Sequence, residues 1–122
     1  MNKKKIIELL VELNRLTVCG DLKWYLSTPP QAISVYRDVY VPRYYFTEYK
    51  GKNIAVYEER VRRFSGEYEE HYHVEYVCFA ILSDKNQLEF VYAEEQRALM
   101  DLFETIVETS VDIDGLLDNL LD

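Results

Sequence analysis

Glycine and proline are scarce in this chain of 122 residues, at four and three, and cysteine and histidine number two each. So little glycine and proline excludes a collagen-like or low-complexity chain. Cys19 and Cys78 lie far apart, with neither Cys-x-x-Cys spacing nor a dense, even pattern. That excludes a secreted disulfide framework and predicts two buried thiols in a reducing compartment. No apolar run approaches the ~18 residues needed to span a bilayer. Glu8 and Glu12 interrupt what would be the uncharged core of a signal peptide behind Lys3, Lys4 and Lys5, so a cytoplasmic location is expected. Also missing are a P-loop, a dinucleotide-binding glycine pattern, a nucleophile elbow and a helix-borne histidine pair. Nothing in the sequence calls for a cofactor.

What is present is globular, with 48% apolar and 30% charged residues. A chain of this length buries roughly two-thirds of the surface its unfolded form exposes. It is therefore expected to fold as a single α+β domain over residues 1–122, without staples. The net charge of −8 is unevenly spread. Residues 1–93 hold 13 Lys/Arg and 13 Asp/Glu, whereas residues 94–122 hold nine acids against Arg97 alone. Such a field repels nucleic acid and membranes and favours a basic partner.

Ile6, Leu9, Leu10, Leu13 and Leu16 repeat at helical spacing, predicting an amphipathic helix over 3–18 that Asn2 can cap and Gly20 ends. Leu22 to Leu26 suits a short strand. Thr28, Pro29 and Pro30 force a turn, and Gln31 to Tyr40 reads as either a short helix or an extended arm, ended by Pro42. From Tyr44 the period becomes two, and Tyr44–Tyr49, Asn53–Arg63, His71–Leu82 and Leu88–Tyr92 read as strands. Hairpin-length links imply antiparallel neighbours in chain order, a meander of four to five strands. The run from Val77 to Leu82 is apolar on both faces and points to a central strand. The charged end of the strand before it suggests an extension beyond the covered sheet. Leu99, Leu102, Phe103, Ile106 and Val107 mark a helix from about Glu94, with two acids in its first turn, and Ile113, Leu116, Leu117, Leu120 and Leu121 mark a second. One or two C-terminal helices should then pack on one face of the sheet.

His71, His73 and Glu75 alternate along one strand and share a face, and two imidazoles with a carboxylate can chelate a transition metal. A polar strand start beside Glu69 and Glu70 explains the same residues. Arg60, Arg62 and Arg63 sit among Tyr57, Phe64 and Tyr68, a mixture able to contact phosphate and stack on bases, but the adjacent glutamates blunt it. Eleven tyrosines are present, and Tyr44, Tyr45 and Tyr49 fall within the first long strand, where a Tyr-rich surface would bind a partner. The acidic C-terminal stretch, with Asp112, Asp114 and Asp118, is the other candidate binding surface.

An amphipathic helix, a strand with Trp24, Tyr-rich hairpins and the closing Val111, Asp112, Ile113, Asp114, Gly115, Leu116, Leu117 together resemble the layout of small uncharacterised α+β proteins of bacteria and their phages. That resemblance implies an origin and no activity. The expected function is a non-enzymatic protein-interaction or regulatory module acting through the acidic C-terminal helix or the Tyr-rich face, with a homodimer as one arrangement. The alternative is a metal-dependent enzyme or ligand-binding module around His71, His73 and Glu75.

Overall fold

The computed structural model describes residues 2–34, 40–110 and 113–122, the last stretch with its side chains from Gly115 onward. The elements are α1 (Lys3–Val18), β1 (Tyr25–Ser27), α2 (Gln31–Ser34), β2 (Tyr40–Tyr49), β3 (Lys52–Ser65), β4 (Glu70–Leu82), β5 (Leu88–Tyr92), α3 (Arg97–Ser110) and α4 (Ile113–Leu121). The five strands form one antiparallel sheet in chain order, β1-β2-β3-β4-β5, the α+β meander expected from the pattern.

Local chemistry explains where these elements begin and end. Asn2 Oδ1 accepts a hydrogen bond from the Lys5 amide at 3.2 Å, satisfying a donor that the first turn leaves free. Gly20 stops α1 in the left-handed region, at φ +79°, where an added Cβ would be strained. Lys50 and Gly51 both have positive φ, the backbone of a two-residue hairpin, and Tyr49 pairs with Lys52 across them. Among the described residues no helix is long and apolar enough to cross a membrane.

Strand alternation sorts the core into two layers. Facing the helices, Tyr45, Ile54, Val56, Phe79 and Tyr92 pack with Leu10 and Leu13 of α1 and with Leu99, Leu102 and Ile106 of α3. On the opposite face Tyr44, Ala55, Tyr57, Cys78, Ala80 and Leu82 pack with Ile33 of α2. Because both faces are covered, six consecutive residues of β3, Ile54 to Glu59, are buried. Glu59 is held there by a hydrogen bond from Cys78 Sγ at 3.0 Å.

The segment between α1 and β2 is pinned by polar contacts. Trp24 Nε1 donates to Thr17 Oγ1 at 2.9 Å, and that hydroxyl donates to the Leu13 carbonyl at 2.7 Å. Thr47 Oγ1 donates to the Lys23 carbonyl at 2.7 Å. Buried polar groups are thereby satisfied at the corner where the helix layer meets the sheet edge.

Several expectations change in detail. Cys19 is exposed at the end of α1 and only Cys78 is buried. Pro42 does not end an element, since it lies in β2 at a register shift between Tyr40 and Arg43, where its missing N–H costs no regular ladder bond. The central strand is β3, because β1 adds a strand on the far side of β2, although β4 is interior as expected. Of Gln31–Tyr40, the first four residues form a helical turn and residues 35–39 lie outside those described. Finally, α3 starts at Arg97, so Glu94 and Glu95 precede it and its first turn holds no acid. Glu94 instead pairs with Lys3 at 2.9 Å, answering one of the cations that open α1.

Candidate functional site

β3 and β4 outrun the other strands among the described residues. Pairing of β2 to β3 ends at Arg60, and pairing of β4 to β5 begins only at Phe79. Among the described residues Val61 to Ser65 therefore pair only with Glu70 to Val74, as a two-stranded ribbon about 17 Å long. An isolated two-stranded hairpin is marginal in water. This one is reinforced at its base, where Arg60 Nε donates to Glu75 Oε1 at 2.8 Å and Arg63 Nη2 to the Tyr76 hydroxyl at 3.2 Å.

Continuing the alternation from Val56 and Phe79 places Arg60, Arg62, Phe64, His71, His73 and Glu75 on the face that carries the helices, so the shared face expected for His71, His73 and Glu75 is present. All three are exposed. Glu75 is bonded to Arg60, and the His71 ring lies 5.1 Å from that of Phe64. Among the described residues no group of three or more His, Cys, Asp and Glu side chains is placed to hold a metal ion.

The tyrosines divide differently from their sequence clustering. Tyr44 is 4% exposed and Tyr45 is 5% exposed, and being adjacent in β2 they enter opposite core layers. Tyr45 meets Phe103 edge-on at 6.2 Å, and burial pushes the Tyr44 phenol up to about 12. Tyr49 is half-buried, with the Lys50 ammonium 5.2 Å from its ring centre. Among the described residues the aromatic rings that face solvent are Tyr25, Tyr40, Phe64, Tyr68 and Tyr72. Three of these five belong to the β3–β4 ribbon and its turn.

Where the ribbon leaves the helix layer, a cleft of about 490 Å³ opens between β4, the β5–α3 connection and α3. Val77, Met100 and Phe103 give it an apolar floor, and Glu58, Glu75, Glu94 and Glu95 stand around it. Three of these carboxylates already have a cation. Glu58, itself buried, binds Arg43 at 2.6 Å; Glu75 binds Arg60; Glu94 binds Lys3. The Glu58 carboxylate holds the Arg43 guanidinium above its ordinary range, and that guanidinium lies 5.1 Å from the centre of the Phe103 ring. Only Glu95 lacks an ion pair among the described residues. Among the described residues that line the cleft there is no serine, threonine, cysteine or histidine, and its reactive groups are the glutamates and the Tyr76 hydroxyl.

The last element carries a run of exposed leucines. Leu116, Leu117, Leu120 and Leu121 of α4 are 49%, 50%, 75% and 85% exposed, although their spacing would suit a buried stripe. Asp118 and Asp122 are exposed beside them. Asp112 lies outside the described residues, as does the Asp114 side chain. Sequence spacing locates this stripe but does not say that it stays uncovered. The ribbon was legible as a charged extension, whereas the cleft had no sequence signal, since its walls come from β3, β4, α3 and the connection before α3. No family model, curated protein or solved structure matches this chain.

Proposed function

We propose that this chain is a non-enzymatic protein-binding module whose docking element is α4. The observation that carries this reading is the exposure of four leucines on one nine-residue helix. Exposed apolar patches that are rimmed by polar groups mark interaction sites. A helix this short is also marginal in water by itself, and it gains stability from a surface on which to lay its apolar face.

The acids set the chemistry of the partner. Asp118 and Asp122 follow one flank of the leucine stripe at helical spacing, so a complementary groove is apolar with cations along one wall. The cleft beside α3 favours no enzymatic reading, because three of its four glutamates are committed to internal cations.

The double variant Leu116→Ser, Leu120→Ser tests the proposal. Both side chains are exposed, so stability should change by no more than about 0.5 kcal/mol, while any complex the wild-type protein forms should be lost. A variant that unfolds like a core substitution, or that keeps its complex, would sink the reading.

A further inference from the structure

We infer that the occupant of the α4 leucine face is a second copy of this chain, with α4 of each protomer seated on the helix-side face of the other's β3–β4 ribbon. The inference rests on α4 being a docking helix, and it names the partner. On the ribbon, Arg62, Phe64, His71 and His73 share the face that carries the helices, and all four are exposed. Arg62 has no ion pair among the described residues, and Phe64 is 58% exposed. On α4, Asp118 has no ion pair among the described residues and flanks leucines that are uncovered. Among the described residues one surface sets an aromatic ring beside one unpaired cation, Arg62, and the other sets leucines beside unpaired acids, so each supplies what the other lacks.

Size agrees with charge. A nine-residue helix is about 13 Å long, and the ribbon is about 17 Å long, so one helix fits on one ribbon face. A single such contact is smaller than the roughly 1,200 Å² that a stable interface buries. Two contacts, exchanged about a twofold axis, approach it, and reciprocal exchange is what an isologous dimer requires. Both elements gain as well, since a short helix and a two-stranded ribbon are each marginal alone. The ribbon suits nucleic acid less, because Glu67, Glu69, Glu70 and Glu75 offset Arg60, Arg62 and Arg63 along the same hairpin.

Charge reversal in two separate samples tests the arrangement. Arg62→Glu and Asp118→Arg both alter exposed side chains, and circular dichroism should report the wild-type fold for each. Sedimentation velocity should give a dimer for the wild type, with affinity falling as salt rises. Each variant alone places like charges at both contacts and should dimerise about 100-fold more weakly. Mixed, the two variants restore an opposite pair at both contacts, so the heterodimer should regain near wild-type affinity. A monomeric wild type at high micromolar concentration would overturn the inference, as would an Arg62→Glu protein that dimerises normally or a mixture that stays monomeric. None of these outcomes reverses the docking role of α4, which stands or falls with the leucine variant.

Discussion

Tyr44 and Tyr45 are neighbours in sequence that end in different cores, and the reason is only the period of two along β2. A cluster of tyrosines read from sequence is therefore not a surface until the pleat is known. Burial of Tyr44 makes a sign-definite prediction. Its folded-state phenol is raised from the usual 10.0 to about 12, so the native state holds the proton that the unfolded chain releases first. The contribution is fully present below pH 10.0 and is lost as pH rises towards about 12. Urea unfolding at stepped pH should show stability falling across that window, and Tyr44→Phe should flatten the fall. At Thr17 the expectation concerns a hydrogen bond. Thr17→Val removes the acceptor of the Trp24 indole N–H and should cost about 1–3 kcal/mol by leaving a buried donor unsatisfied. Arg43→Ala should cost a similar amount, since it strands the buried Glu58 carboxylate, and Arg43→Lys should recover only part because it loses the planar contact with Phe103.

At the scale of elements, one ladder has two characters. From Asn53 to Glu59 and from Tyr76 to Leu82, β3 and β4 lie between packed layers, whereas beyond Arg60 and Glu75 the same two strands pair only with each other among the described residues. Hydrogen exchange should divide at that boundary. Amides of residues 54–59 and 77–82 should exchange only through global unfolding, and those of residues 61–65 and 70–74 should exchange through local opening. Substitutions follow the same line, with Phe79→Ala costing about 3–5 kcal/mol and Phe64→Ser shifting stability by less than about 0.5 kcal/mol. Both comparisons apply to the chain held monomeric by dilution, where equal behaviour of the two segments would mean that the ribbon is covered within the protomer. Much of this was legible in the residues. The leucine stripe and Asn2 cap define α1, and alternation with hairpin-length links defines the meander. The start of α3 was misplaced because acids before Arg97 look like a first turn, when Glu94 is in fact drawn to Lys3 across the gap to α1. Pro42 misled for a related reason, since a sequence does not display the register shift that tolerates it. The both-face burial of Ile54 to Glu59 was also hidden, because Glu58 and Glu59 look like surface residues until Arg43 and Cys78 are placed beside them.

At the scale of the whole molecule, the proposed function divides the chain into a scaffold and a docking helix. The sheet with α1, α2 and α3 holds the buried core and pairs many of its charges internally, while the excess of acid and a run of four uncovered leucines coincide in residues 94–122. The metal-binding alternative gains nothing from the placement of Glu75 against Arg60 and His71 against Phe64. A docking role for α4 uses features that packing of the protomer leaves unexplained. The most direct measurement is photo-crosslinking from a photoreactive residue placed at position 120 of the full chain inside the cell that makes it. The account predicts a discrete adduct, at twice the protomer mass if the partner is a second copy, that disappears when Leu116→Ser is added. Crosslinking confined to the chain's own core residues, or no adduct from any exposed position of α4, would contradict it.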